Sequence, residues 1–168
     1  MTILTSKWTI AIMVLAAILL LLYLIGRKSV HTELVIEASP EQVWDVLMDE
    51  TGYEAWNNVL FPISGQIEQG NTLPYKLVQP RTKPLELKVK VVELIPEKLL
   101  NQYGGIPGVL TFDHRYILEP VGNKTKVTIH EDFKGIGVMF WDASWLEPAY
   151  TGLLHALRDH VLELHSEN

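Results

Sequence analysis

The hydrophobic pattern along the chain divides it into three regimes. From Trp8 to Ile25 every residue is apolar except Thr9 and the amphipathic Tyr23. That run is long enough for roughly 27 Å of helix at about 1.5 Å per residue, close to the thickness of a bilayer core. Behind it, "HTELVIEAS" alternates, with Leu34 and Ile36 on one face and Glu33, Val35 and Glu37 on the other, as in a half-buried strand. Ser39 then offers an N-cap, Pro40 fits the first helical position, and Gln42 completes a capping box. Val43, Trp44 and Leu47 make the stripe of a short helix ending near Asp49, and Thr51 to Asn57 reads as a second helical turn with Tyr53 and Trp56 on one side.

The second regime is strand-like. The runs are Leu60–Glu68, Thr72–Gln79, Leu85–Ile95, Lys98–Tyr103, Leu110–Glu119 and Lys124–Phe133, punctuated by glycine, proline and asparagine. Short connections predict an antiparallel meander, and the phase slip at Val91-Val92 predicts a bulge. The third regime is a helix. Leu146, Tyr150, Leu153, Leu157, Val161 and Leu164 recur at spacings of three and four from Trp145 onward. One antiparallel sheet with a face to bury and one long amphipathic helix to cover it give an α+β fold, with room for a cavity between them.

The N-terminal run predicts a transmembrane helix from Trp8 to Ile25, with residues 1–30 as anchor and linker and residues 31–168 as the folded domain. Trp8 and Tyr23 lie near its two ends, where amphipathic rings prefer the interface. The exit "YLIGRKSVHTE" carries two cations and no small-residue cleavage pattern, so an uncleaved anchor fits better than a signal peptide. The amino terminus with Lys7 nearly balances Arg27 with Lys28, and the short six-residue tail before Lys7 can cross easily, so the expectation is a single-pass membrane protein with a cytoplasmic domain.

Charge changes the picture once it is divided. Of 14 Lys+Arg and 20 Asp+Glu, only Lys7, Arg27 and Lys28 precede residue 30; the remainder keeps 11 cations against 20 acids, a net −9. A domain this acidic, without a basic stripe, is no nucleic-acid binder. Cysteine is absent, and no His-Glu-x-x-His or comparable histidine pair occurs, so no metal site is predicted. Gly135-x-Gly137 lacks the third glycine of a dinucleotide fingerprint, and no cofactor is implied.

"ASPEQVWDVLMD", "YEAWNN" and "FDHRYILEPVGNKTKVTIHEDFKGI", followed by the long helix, resemble the START/Bet v 1-like superfamily, most closely its polyketide cyclase/dehydrase-type (SRPBCC) branch, over about residues 31 to 165. The resemblance implies a helix-grip fold: a seven-stranded antiparallel sheet gripping the last helix around a hydrophobic cavity. It implies binding of a hydrophobic small molecule or lipid, with a cyclase/dehydrase-type enzyme or a non-catalytic module for a membrane partner as alternatives.

Candidate site residues follow from the inward faces. In the two strands flanking Gly122-Asn123, Phe112, His114 and Tyr116 share one face, and Ile129, Glu131 and Phe133 share another. A turn centred on Val121-Gly122 sets Phe112 opposite Glu131 and makes His114 and Glu131 diagonal neighbours, about 7–8 Å apart. A carboxylate on an apolar face needs a partner or a proton. His114 and Glu131 therefore read first as a structural hydrogen-bonded pair, then as polar anchors for a ligand, and last, with Tyr116, as candidates for acid/base chemistry. Trp44 reads as core. Trp56, Asn57, Tyr75, Tyr103, Phe112 and Trp141 complete the candidate ligand-binding set, and "VMFW" at residues 138–141 reads as packing against the sheet edge, a gate, or a patch dipping into lipid.

Overall fold

The computed structural model describes residues 7–166. The apolar run is a helix, α1 (Lys7–Ile25), and Gly26 alone separates it from the first strand. The sheet contains β1 (Arg27–Ile36), β2 (Leu60–Pro62), β3 (Thr72–Leu77), β4 (Leu85–Ile95), β5 (Leu99–Ile106), β6 (Leu110–Val121) and β7 (Lys124–Lys134). Their spatial order is β1-β7-β6-β5-β4-β3-β2, every pair antiparallel. Two short helices, α2 (Pro40–Met48) and α3 (Tyr53–Trp56), follow β1, and α4 (Leu146–Ser166) ends the described chain.

Each element forms for a local reason. The Ser39 hydroxyl accepts from the Gln42 N–H at 3.3 Å while the Gln42 side chain accepts from the Ser39 N–H at 2.9 Å, so α2 starts on the expected capping box. β4 alternates until Val91, where the pairing with β5 slips by one residue, the expected bulge. The stripe of α4 buries Leu146, Tyr150, Leu153, Leu157 and Val161, together with Leu154. The inner face of the sheet buries Tyr75, Val89, Leu100, Phe112, Tyr116, Leu118, Val127 and Ile129 toward the same core. This is the helix-grip arrangement. Leu164 is 49% exposed, because the stripe runs beyond the sheet in its last turn.

Four sequence expectations are corrected. The first strand begins at Arg27, ahead of the run read from His31: the register Arg27↔Lys134 carries β1 right up to α1, with Gly26 between them. β2 ends at Pro62, well short of Glu68: the Ile63 N–H still donates to the Pro74 carbonyl at 2.8 Å, but Pro74 has no N–H to return the bond. β5 continues through Gly104 and Gly105, which pair with Phe112 and Thr111, and the turn falls after Ile106. Gly104 is there for proximity, since a Cβ on it would run into the Phe112 ring. The β6–β7 turn is Gly122-Asn123 with Val121 opposite Lys124; Gly122, at φ 65°, supplies the positive φ that a tight hairpin requires at this position.

Because the strands alternate in direction, one end of the sheet is built from the starts of β1, β4 and β6 and the ends of β3, β5 and β7. That is the end to which α1 is joined. The Gly135 N–H, just past β7, donates to the Gly26 carbonyl at 2.9 Å. A Cβ on Gly26 would overlap the Gly135 carbonyl, so glycine allows the closest part of this joint.

Candidate functional site

The same end of the sheet holds an apolar cleft of ≈ 570 Å³, walled by Leu77, Leu87, Ile106, Val109, Phe112 and Trp141. Its volume is within the range of small-molecule sites, about 300–1,000 Å³. A smaller inner pocket of ≈ 50 Å³ shares Leu77, Leu110, Phe112 and Trp141 with it and adds Glu131 and Tyr150. The inner end of the cleft is thus apolar on its surface, with the polar pair of Glu131 and Tyr150 buried just behind it.

The buried polar cluster is built by three elements. Register places His114 of β6 directly opposite Glu131 of β7, a correction to the expected diagonal arrangement that follows from the shifted turn. His114 Nδ1 lies 3.5 Å from Glu131 Oε1, within ion-pair distance but not aligned as a hydrogen bond. The Tyr150 hydroxyl, reaching from α4, donates a short hydrogen bond to Glu131 Oε2. The His114 ring stands edge-on to Tyr116 and Tyr150, with centroids 4.9 and 5.4 Å away. His114 and Glu131 are 1% and 2% exposed. Burial first, and the facing Glu131 carboxylate second, hold the Tyr150 hydroxyl well above the ordinary tyrosine range. Burial does the same to Tyr116, so both keep their protons and Tyr150 remains a donor.

The remaining candidates separate cleanly. Phe112 and Trp141 line the cleft. Trp141 also packs edge-on against Phe133 at 4.8 Å, and its carbonyl accepts from Lys28 Nζ at 2.8 Å. Trp56, Asn57 and Tyr75 are buried in the core at 3%, 1% and 0% exposure and do not line the cleft. The Asn57 side chain accepts from the Val59 and Leu60 N–H groups and donates to the Leu60 carbonyl and the Tyr116 hydroxyl. Tyr75 accepts a short hydrogen bond from Gln102. Tyr103 is 39% exposed: Gln102 and Gly104 take the inward positions of β5, so it points outward, against expectation. In the "VMFW" run Val138 is buried, Trp141 is half-buried, and Met139 and Phe140 are exposed. Tyr150 was missed as a site residue. Its signal was a hydroxyl inside a stripe otherwise made of leucine and valine, which needs a partner across the core.

A family model described as "Polyketide cyclase / dehydrase and lipid transport" matches residues 27–162. The chain belongs to that family. The match starts where β1 starts, and it takes in both the cleft and the buried polar cluster behind it. The fold of the family is shared by solved structures of low identity. A protein from Arthrobacter aurescens is 16% identical with TM-score 0.66, covering 80% of this chain and 86% of its own. Ara h 8.0201 is 14% identical with TM-score 0.59, over 82% and 99%. Norcoclaurine synthase from Thalictrum flavum, solved with dopamine and hydroxybenzaldehyde, is 20% identical with TM-score 0.59, over 82% and 87%. At these identities the likeness establishes the Bet v 1-like fold. No curated protein matches the chain. Family membership and fold together support binding of a hydrophobic ligand, and the apolar cleft is the part of this member that suits one.

Proposed function

We propose that this chain is a membrane-anchored protein that binds a hydrophobic small molecule or lipid in the cleft and passes it to or from the bilayer. The observation that carries the reading is the cleft's place: ≈ 570 Å³ of apolar-walled space at the end of the sheet to which α1 is joined. α1 has a hydropathy of 2.7 and none of it is buried by the rest of the protein, so lipid is the natural cover for it. Phe112 and Trp141 form walls, and the small inner pocket continues the apolar surface toward the buried Glu131–Tyr150 pair.

Binding fits the geometry better than cyclase/dehydrase chemistry at His114, Tyr116 and Glu131. A general acid or base must reach its substrate directly or through one water. The inner pocket before Glu131, at ≈ 50 Å³, has room for about one or two waters. It does not admit the body of a substrate. The reading is tested on the full chain purified into nanodiscs of synthetic phosphatidylcholine. Native and then denaturing mass spectrometry would identify what travels with it. A stoichiometric hydrophobic species, or saturable uptake from a panel of lipids, quinones and polyketides, supports the reading. An empty chain that takes up none of them ends it.

A further inference from the structure

We propose that the α1 end of the domain docks on the bilayer surface, with Ile106, Val109, Met139 and Phe140 set among the acyl chains and Arg27, Lys28 and Lys134 at the lipid phosphates. The inference rests on the anchored reading above and adds to it a fixed pose.

Phe140 is 77% exposed, Ile106 65%, Val109 53% and Met139 46%. Single exposed apolar side chains are ordinary, but a braced group of them marks an interaction surface. These four are braced. The Val109 N–H donates to Ile106 O at 3.0 Å, and the Ile136 and Gly137 N–H groups donate to Gly108 O and Val109 O at 3.1 and 2.7 Å. The Gly135 N–H donates in turn to Gly26 O. The β5–β6 turn and the 3₁₀ turn over Ile136–Met139 therefore form one platform, fastened to the residue where α1 ends.

The position of the platform selects a lipid surface as its partner. Gly26 is the only spacer, so the platform cannot stand away from the membrane that α1 enters. A 19-residue helix is about 28 Å long, which brings Ile25 to the edge of the hydrocarbon. Tyr23 then lies at interface depth, with Lys134 Nζ 5.1 Å above its ring. Arg27, Lys28 and Lys134, with Asp132 as the one acid among them, border one surface hollow beside this junction, at headgroup height. Arg81 and Lys83 lie in the loop that joins β3 to β4 at the same end. Glu37, Glu68, Glu97 and Glu119 lie toward the opposite end. The near end carries Glu86, Asp132 and Asp142 beside these five cations, so it is close to balanced and meets an anionic leaflet with less repulsion than the acidic far end. In this pose Leu85, Ile106 and Val109, at the cleft mouth, face acyl chains, and an apolar ligand moves between cleft and bilayer without entering water.

The chain has no cysteine, so single cysteines can be introduced cleanly. Ile18→Cys, Val109→Cys, Phe140→Cys and Asn123→Cys, each carrying an environment-sensitive fluorophore, are reconstituted as full chains in phosphatidylcholine/phosphatidylglycerol vesicles with and without brominated acyl chains. The expected result is strong quenching at position 18, at least half as much at 109 and 140, and several-fold less at 123, in the β6–β7 turn. Quenching at 18 with 109 and 140 as unquenched as 123 overturns the docked pose and leaves the anchor standing. Labels at 109 and 140 that are shielded from water yet unquenched overturn it in favour of a protein cover. No quenching at 18 overturns the anchored reading itself, and the pose with it.

Discussion

The Tyr150 hydroxyl on α4 donates to the Glu131 carboxylate on β7, wholly inside the protein. The bond ties the long helix to the sheet beside the innermost part of the cleft. A buried carboxylate that loses a donor keeps its desolvation cost, so the loss exceeds the net value of an ordinary hydrogen bond. Tyr150→Phe is expected to cost ~1–3 kcal/mol, a fall of several degrees in melting temperature for the full chain in detergent. Glu131→Gln keeps an acceptor for Tyr150 and removes the charge, so it is expected to cost less. Equal melting temperatures for Tyr150→Phe and the parent chain would remove this bond from the account of stability.

Alkaline pH attacks the same interior. Burial is the leading cause that raises Tyr53, Tyr75, Tyr116 and Tyr150 above the ordinary tyrosine range. The raised folded value means that the neutral phenol is favoured in the folded state. The stability this contributes is fully present below the unfolded value of about 10 and is lost as pH rises beyond it. These four tyrosines are therefore expected to ionise only as the chain unfolds. Tyrosinate absorbance and far-ultraviolet circular dichroism, followed together through alkaline titration, should show their ionisation coinciding with loss of structure. Ionisation of these four with the dichroism intact would contradict the enclosed interior described above.

Much of this architecture is written in local pattern. The capping box at Ser39, the slip at Val91-Val92 and the stripe of α4 each reflect a neighbourhood of a few residues, and each appears where the pattern puts it. What escaped depends on partners distant in sequence. Val121-Gly122 and Gly122-Asn123 are both reasonable turn centres, and only the pairing along the whole of β6 and β7 decides between them. That choice moved His114 from a diagonal to a facing position relative to Glu131. Gly104-Gly105 looks like punctuation but serves the close approach of the Phe112 ring, and its inclusion in β5 leaves Tyr103 outside. The joint at Gly26 was hidden for the same reason: the carbonyl it makes room for belongs to Gly135.

Asn57 is predicted to act on stability rather than on ligand affinity. It accepts from the Val59 N–H at 3.0 Å and the Leu60 N–H at 3.1 Å, and it is 1% exposed. Asn57→Ala leaves both donors without that partner in the core, at ~1–3 kcal/mol each. Chemical unfolding followed by tryptophan fluorescence should show a lower midpoint, with unchanged affinity of the folded fraction for an apolar fluorophore. The reverse pattern, weakened binding at parental stability, would make Asn57 a ligand contact.

The cleft can be closed without disturbing the core. Leu87 is half-buried on β4, opposite Tyr75 of β3, and its side chain forms part of the cleft wall. Leu87→Trp places an indole where there is empty space, so strain should be modest, below about 1.5 kcal/mol, in contrast to the overpacking of a filled site. Affinity for an apolar fluorophore such as 1-aminoanthracene is expected to fall about tenfold or more, equivalent to about 1.4 kcal/mol. Leu157→Ala supplies the opposite case. Its side chain is fully buried under α4, away from the cleft, and its removal should cost ~2–5 kcal/mol of stability. The folded fraction of Leu157→Ala should bind the fluorophore as the parent chain does. Both are measured on the full chain in nanodiscs, with binding by fluorescence titration and stability by thermal melting. Unchanged affinity in Leu87→Trp would place the hydrophobic ligand somewhere other than this cleft.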